Sequence, residues 1–340
     1  PIDKFRPSDK EIQRALKKKK GSNLIYFGPG VHNLPNDTLF VPSGTTVYID
    51  GGARVYGNIF TEGAHDVNIF GRGEVHPDGR GAGVWVRRSK NVRIDGIVVS
   101  QLPIGQCDSV ELTNVKSISY YGWGDGMDVF SSSNVILDGV FCRNSDDCAA
   151  VYASTQGFKG GSNNVLVKNA TLWADVAHPI NIGGHGDPNG MDTVQNVTFR
   201  NIDILDQAEK QIDYQGCLAI NPGDNTLVRN ITFENIRIED FRNGQLVNFR
   251  ISFNPKYCVS TGRGIQNVLV KDVTYNGSGE NLSIIAGYDE NHKISGIRFV
   301  NLVVNGRKIT DDMPGKPKWY KTGDMAGIFV GEHVENLSFE

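Results

Sequence analysis

Residues 123–152 read WGDGMDVFSSSNVILDGVFCRNSDDCAAVY, and one short plan runs through them twice. Asp125 and Asp128 sit in a Gly-Asp-Gly-Met-Asp run, and Asp146, Asp147 and Cys148 are consecutive. An apolar, strand-like run accompanies each cluster, residues 127–130 with the first and 149–152 after the second. Between them a turn-rich Ser131-Ser132-Ser133 leads into the alternating Asn134-Val-Ile-Leu137. If the chain winds as a coil of strands, the two acidic clusters lie one above the other.

The Asn-apolar-x-apolar signature recurs along the chain. Copies begin at Asp66, Asn91, Asn114, Asn134, Asn164, Asn196, Asn230, Asn267 and Asn336, with a weaker one at Gly296. From Asp66 to Asn267 the steps are 25, 23, 20, 30, 32, 34 and 37 residues. A period in this range, with several short strands per unit, indicates a stacked β-solenoid. Alternate apolar residues should face inward, and each Asn should stand in a turn. The 40 glycines fit frequent tight turns. A two-sheet sandwich would explain the strands but not the repeating Asn phase. The reading is therefore all-β and a single solenoid domain over residues 1–340. The longer later units should carry loops that wall a groove.

At the N-terminal end Ser8 and Glu11 have capping-box spacing. Ile12, Ala15 and Leu16 give one apolar side, so a short capping helix is expected over residues 8–21. Its basic run, Lys17 to Lys20, suits a helix C-terminus, with Gly21 as the cap. Such a helix would close the first coil, whose core would otherwise face water.

Net charge −3 and a pI near 6.2 argue against a nucleic-acid partner. No run of eighteen apolar residues is present, so no membrane-spanning helix is expected. No signal peptide is visible; the opening Pro1 suggests a processed N-terminus. The five cysteines lack a CxxC pair, and buried free thiols are the expectation, with a local Cys142–Cys148 pair as the alternative. Seven Asn-x-Ser/Thr sequons mostly fall inside apparent strands, where they read as part of the repeat.

Residues one coil apart stack about 4.8 Å apart. Asp125 and Asp146 are 21 residues apart, close to the local coil length, so Asp125, Asp146 and Asp147 should converge. Carboxylates so close repel, and at least one pKa should rise. Glycoside hydrolysis uses such a set: one carboxylic acid protonates the leaving oxygen while another activates water. Turn residues or calcium ligands are the competing reading. Gly184-His185-Gly186 leaves an imidazole accessible, and Arg250 ends the apolar run 246–249, where it would grip a sugar hydroxyl or carboxylate. Trp123 beside Asp125 is the leading aromatic platform for a sugar, ahead of Trp173 and Tyr152. His178 and Asp187 flank the Gly-His-Gly run and are further candidates for the groove.

In order, these motifs resemble the polygalacturonase family, glycoside hydrolase family 28, whose motifs read Asn-Thr-Asp, Asp-Asp-Cys, Gly-His-Gly and Arg-Ile-Lys. The resemblance runs from about residue 24 to about residue 305. It implies a right-handed parallel β-helix, an inverting hydrolase needing neither metal nor cofactor, a carbohydrate polymer or oligosaccharide as partner, and a secreted or periplasmic location. By position Asp146 would be the general acid, and Asp125 with Asp147 would activate water. His185 would support the acid, Arg250 would bind substrate, and Asp128, Gly184 and Gly186 would line the substrate site. Trp123-Gly124 replaces the Asn-Thr, and Ser252 replaces the Lys that helps hold a uronate. The stretch 204–251 also resembles the dextranase family 49 of the same clan, which acts on neutral α-glucans. A polysaccharide lyase and a non-catalytic carbohydrate-binding solenoid are the remaining alternatives.

Overall fold

In the computed structural model, residues 3–17, 23–278 and 281–340 are described. The strands join into one continuous sheet that winds as a right-handed parallel β-helix. Each strand pairs in parallel with its counterpart one coil on, as in Met127↔Ala149↔Ile180↔Leu218↔Val247. The 304–307 turn joins an antiparallel pair, Lys293–Val304 with Arg307–Ile309.

Period-two alternation fills the interior. Val165, Val197, Ile231, Val268 and Ile297 stack in one row, and Val167, Phe199, Phe233, Val270 and Phe299 in the next. Each is no more than 1% exposed, so every coil buries its apolar face on its neighbours. Phe233 is sandwiched between Phe199 and Phe249, with ring centroids 5.9 and 6.0 Å away.

The recurring Asn is a corner residue. Asn134, Asn164, Asn196, Asn230 and Asn267 all hold φ between 56° and 58°. Asn tolerates this left-handed conformation better than most side chains. Its amide also reaches the coil before: Asn230 donates to Asn196 Oδ1 at 3.2 Å, and Asn267 to Asn230 Oδ1 at 3.2 Å. The sequons at Asn196 and Asn230 are thus part of this ladder.

The N-terminal helix covers Asp9–Leu16, with the Ser8–Glu11 capping box formed and Ile12 buried. It packs against the first strand, Leu24–Phe27. It ends at Lys17, short of the expected Gly21; Lys18 to Lys20 and Gly21 lie outside the described residues. All five cysteines are buried and free, so Cys142 and Cys148 are unpaired.

Candidate active site

Five short strands, Met127–Phe130, Ala149–Tyr152, Ile180–Gly183, Leu218–Asn221 and Val247–Arg250, make the floor of a groove. Their inward residues join the core. Their outward residues Asp128, Ala150, Asn181, Ala219 and Asn248 form a column of registered partners. Even these outward residues are buried, and loops both before and after the floor strands rise around them. A cavity of about 630 Å³ opens over the first two of these strands, with Asp128, Phe130 and Tyr152 in its lining.

Asp125, Asp146 and Asp147 meet in this cavity, with one oxygen from each within 4.8 Å of the others. Local backbone geometry brings them there. Trp123 adopts φ 61°, and the glycines on either side of Asp125 let two coils close on each other. A side chain at Gly126 would run into the Cys148 carbonyl, and one at Gly124 into the Ser145 hydroxyl. Buried Asn144 donates to the Asp125 carbonyl at 3.2 Å and fixes that loop from below.

The three carboxyls sit in different environments. Asp147 is 2% exposed and fully hydrogen-bonded. Its Oδ1 accepts from the His178 backbone N–H at 3.0 Å and lies 2.7 Å from His178 Nδ1. Its Oδ2 accepts from Tyr152 at 2.6 Å and Asn181 at 2.8 Å. Burial opposes its charge, but His178 and these donors outweigh burial and hold the carboxyl down at about 2. Burial and the nearby Asp146 push Asp125 up to about 8. Burial and the Asp147 charge push Asp146 up to about 6. Asp125 and Asp146 therefore retain one proton between them from about pH 6 to about pH 8.

Asp128 lies beneath them, 5% exposed, and its Oδ1 has no hydrogen-bond partner among the described residues. Burial, with Asp125 next, pushes its carboxyl well above the usual range. Among the described residues, Asp125, Asp146 and Asp147 are also the one His/Cys/Asp/Glu group spaced to hold a cation.

Of the two histidines in this region, His178 is the one that meets the carboxylates. It stands two residues before its floor strand, as Asp147 stands two before the preceding one, so the two stack directly. His185 follows the strand instead; it lines the cavity with its ring edge-on to Tyr152, centroids 5.0 Å apart. Gly184 and Gly186 are packing residues outside the cavity lining: the Gly184 carbonyl accepts from Cys258 Sγ at 3.0 Å, and a side chain at Gly186 would strike Thr226. Arg250 turns aside to Asp213, with Nη1 and Nη2 each 3.2 Å from Asp213 Oδ1. Trp123 stands at the rim, 68% exposed, and Tyr120, more open still, is also in the lining. Trp173 lies under Arg143, outside the lining. Asp187 likewise lies outside it, 3.5 Å from Lys159.

Several lining residues had no signal in the sequence, among them Glu209, Gln211, Tyr214 and Lys256. These four come from the loops after residues 207 and 252, where no repeat phase applies. His178 did carry one, its phase relative to the following strand.

Residues 82–313 match glycosyl hydrolases family 28. A probable endopolygalacturonase D of Emericella nidulans is 26% identical over 311 residues, covering 82% of this chain and 55% of that protein. The chain spans about half the length of the curated relatives it matches. The family 28 exopolygalacturonase of Yersinia enterocolitica superposes with a TM-score of 0.66 at 14% identity, over 96% of this chain and 74% of that one. Dex49A from Penicillium minioluteum gives 0.63 at 14% identity, over 93% and 60%. At such identities the two structures establish the shared fold.

Proposed function

Because this chain belongs to glycosyl hydrolases family 28, we propose that it hydrolyses α-glycosidic bonds of a polysaccharide or oligosaccharide, in the manner of a polygalacturonase and with inversion. The convergence of Asp125, Asp146 and Asp147 on one cavity, with one proton shared between two of them, carries this reading. The two values belong to the pair: the higher one falls on Asp125, and the reactive form is the one in which the shared proton has moved to Asp146, the less buried member, which gives it to the glycosidic oxygen. Asp125 takes a proton from the attacking water. Asp147 has four donors on its two oxygens, which fills its usual acceptor sites. It therefore acts as a fixed negative charge beside the oxocarbenium-like centre, and His178 is the residue that positions it.

This occupancy also argues against Asp147 as a covalent nucleophile. The spacing alone would not, since the oxygens lie closer than the ~6.5–9.5 Å usual for an inverting pair. Trp123 offers a stacking face at the rim, and His185 faces the bound sugar from the other side of Tyr152. A polymeric glycan is met outside the cell, so the protein is read as secreted.

The test is digestion of a panel of plant, algal and bacterial polysaccharides, with the first product anomer followed by proton NMR. Inversion gives the anomer opposite to that of the cleaved bond. The same anomer would establish a retaining route, and an unsaturated product would establish a lyase.

A further inference from the structure

We propose that Glu209 selects an uncharged sugar in the subsite on the C-terminal side of the three aspartates. This refinement rests on the hydrolase reading above. Glu209 comes from a later coil than Asp146, is 5% exposed, and lines the cavity. Both hydrogen bonds it accepts, from the backbone N–H and Nε2 of Gln211 at 2.7 and 3.4 Å, fall on Oε1. Oε2 accepts none among the described residues. A carboxylate placed this way can accept from a sugar hydroxyl, and it repels a uronate at the same place.

The cations nearby offset it only in part. Arg250 is held by Asp213 and lies outside the cavity lining. Lys256 is the one Lys or Arg in the lining among the described residues. Its Nζ donates to Gln211 Oε1 at 3.1 Å and is exposed, so its attraction for Glu209 and Asp146 acts through solvent and is screened. The lining thus gathers five carboxyl side chains, Asp125, Asp128, Asp146, Asp147 and Glu209, against the one Lys256 among the described residues.

A matched pair of probes isolates the effect: a homogalacturonan hexamer and the same hexamer with its carboxyls chemically reduced. Wild-type enzyme should cleave the reduced hexamer with kcat/KM on the order of tenfold higher. Glu209→Gln keeps the shape and removes the charge, and should bring the two rates within about threefold. A wild-type preference for the uronate, or an unchanged ratio in Glu209→Gln, overturns the inference and leaves the hydrolase reading standing. If wild type cleaves neither probe and Asp146→Asn binds neither by calorimetry, the inference falls, and the polysaccharide panel decides the hydrolase reading separately.

Discussion

His178 lies one coil after Asp147, with its ring Nδ1 2.7 Å from Asp147 Oδ1 and neither side chain more than 3% exposed. A buried carboxylate keeps its charge only while such partners stay in place. His178→Ala removes the ring and leaves Asp147 under-satisfied. It should cost about 1–3 kcal/mol of stability, read by chemical denaturation. It should also lower kcat at least about tenfold with KM within about threefold, because the loss falls on charge at the reacting centre. His185→Ala, which removes a ring packed on Tyr152, should cost less kcat and change KM more.

The shared proton sets a pH window. Below about pH 6 both Asp125 and Asp146 are protonated and no base remains. Above about pH 8 both are ionised and no acid remains. The kcat/KM profile should therefore be a bell with limbs near these values. Asp147 stays ionised down to about pH 2 and adds no limb in this range. A profile flat from pH 5 to pH 9 would remove the acid–base pair from the mechanism.

Phe233 tests how the solenoid is held together. It is fully buried between two other rings, so Phe233→Ala opens a void that the flanking coils cannot fill. The expected loss is about 3–5 kcal/mol, measured by denaturant unfolding. Asn230→Ala removes a ladder amide and leaves a non-glycine residue at φ 56°; it should cost about 1–3 kcal/mol.

Chelation separates the two chemistries open to three close carboxylates. Dialysis against EDTA should leave hydrolysis unchanged, since the roles of Asp125 and Asp146 are proton transfers. Loss of activity restored by calcium would place an ion on the oxygens that lie within 4.8 Å of each other.

Much of this was legible in the chain. The corner Asn carries both the left-handed turn and the inter-coil amide bond, so its recurrence reports the winding directly. The 21-residue step from Asp125 to Asp146 nearly equals one coil, which is why their convergence followed from spacing. Spacing failed where coils lengthen. The insertion after Tyr152 makes the next step 31 residues from Asp147 to His178. There the Gly-His-Gly pattern drew attention to His185, on the far side of the strand. Arg250 was legible as a strand end, but not its ion pair, because Asp213 comes from an irregular loop. Glu209 and Lys256 lie on similar loops, whose paths depend on packing that no periodicity encodes.

The most direct measurement is the leaving-group dependence of Asp146→Asn. A general acid matters in proportion to how poorly the leaving group departs unaided. On the natural glycan the variant should lose about 10²–10⁴-fold in kcat/KM, with its circular dichroism unchanged. On an aryl glycoside with an acidic phenol as leaving group, the loss should shrink to under about tenfold. Equal losses on both substrates, or near-wild-type turnover on the glycan, would contradict the assignment of Asp146 as the proton donor.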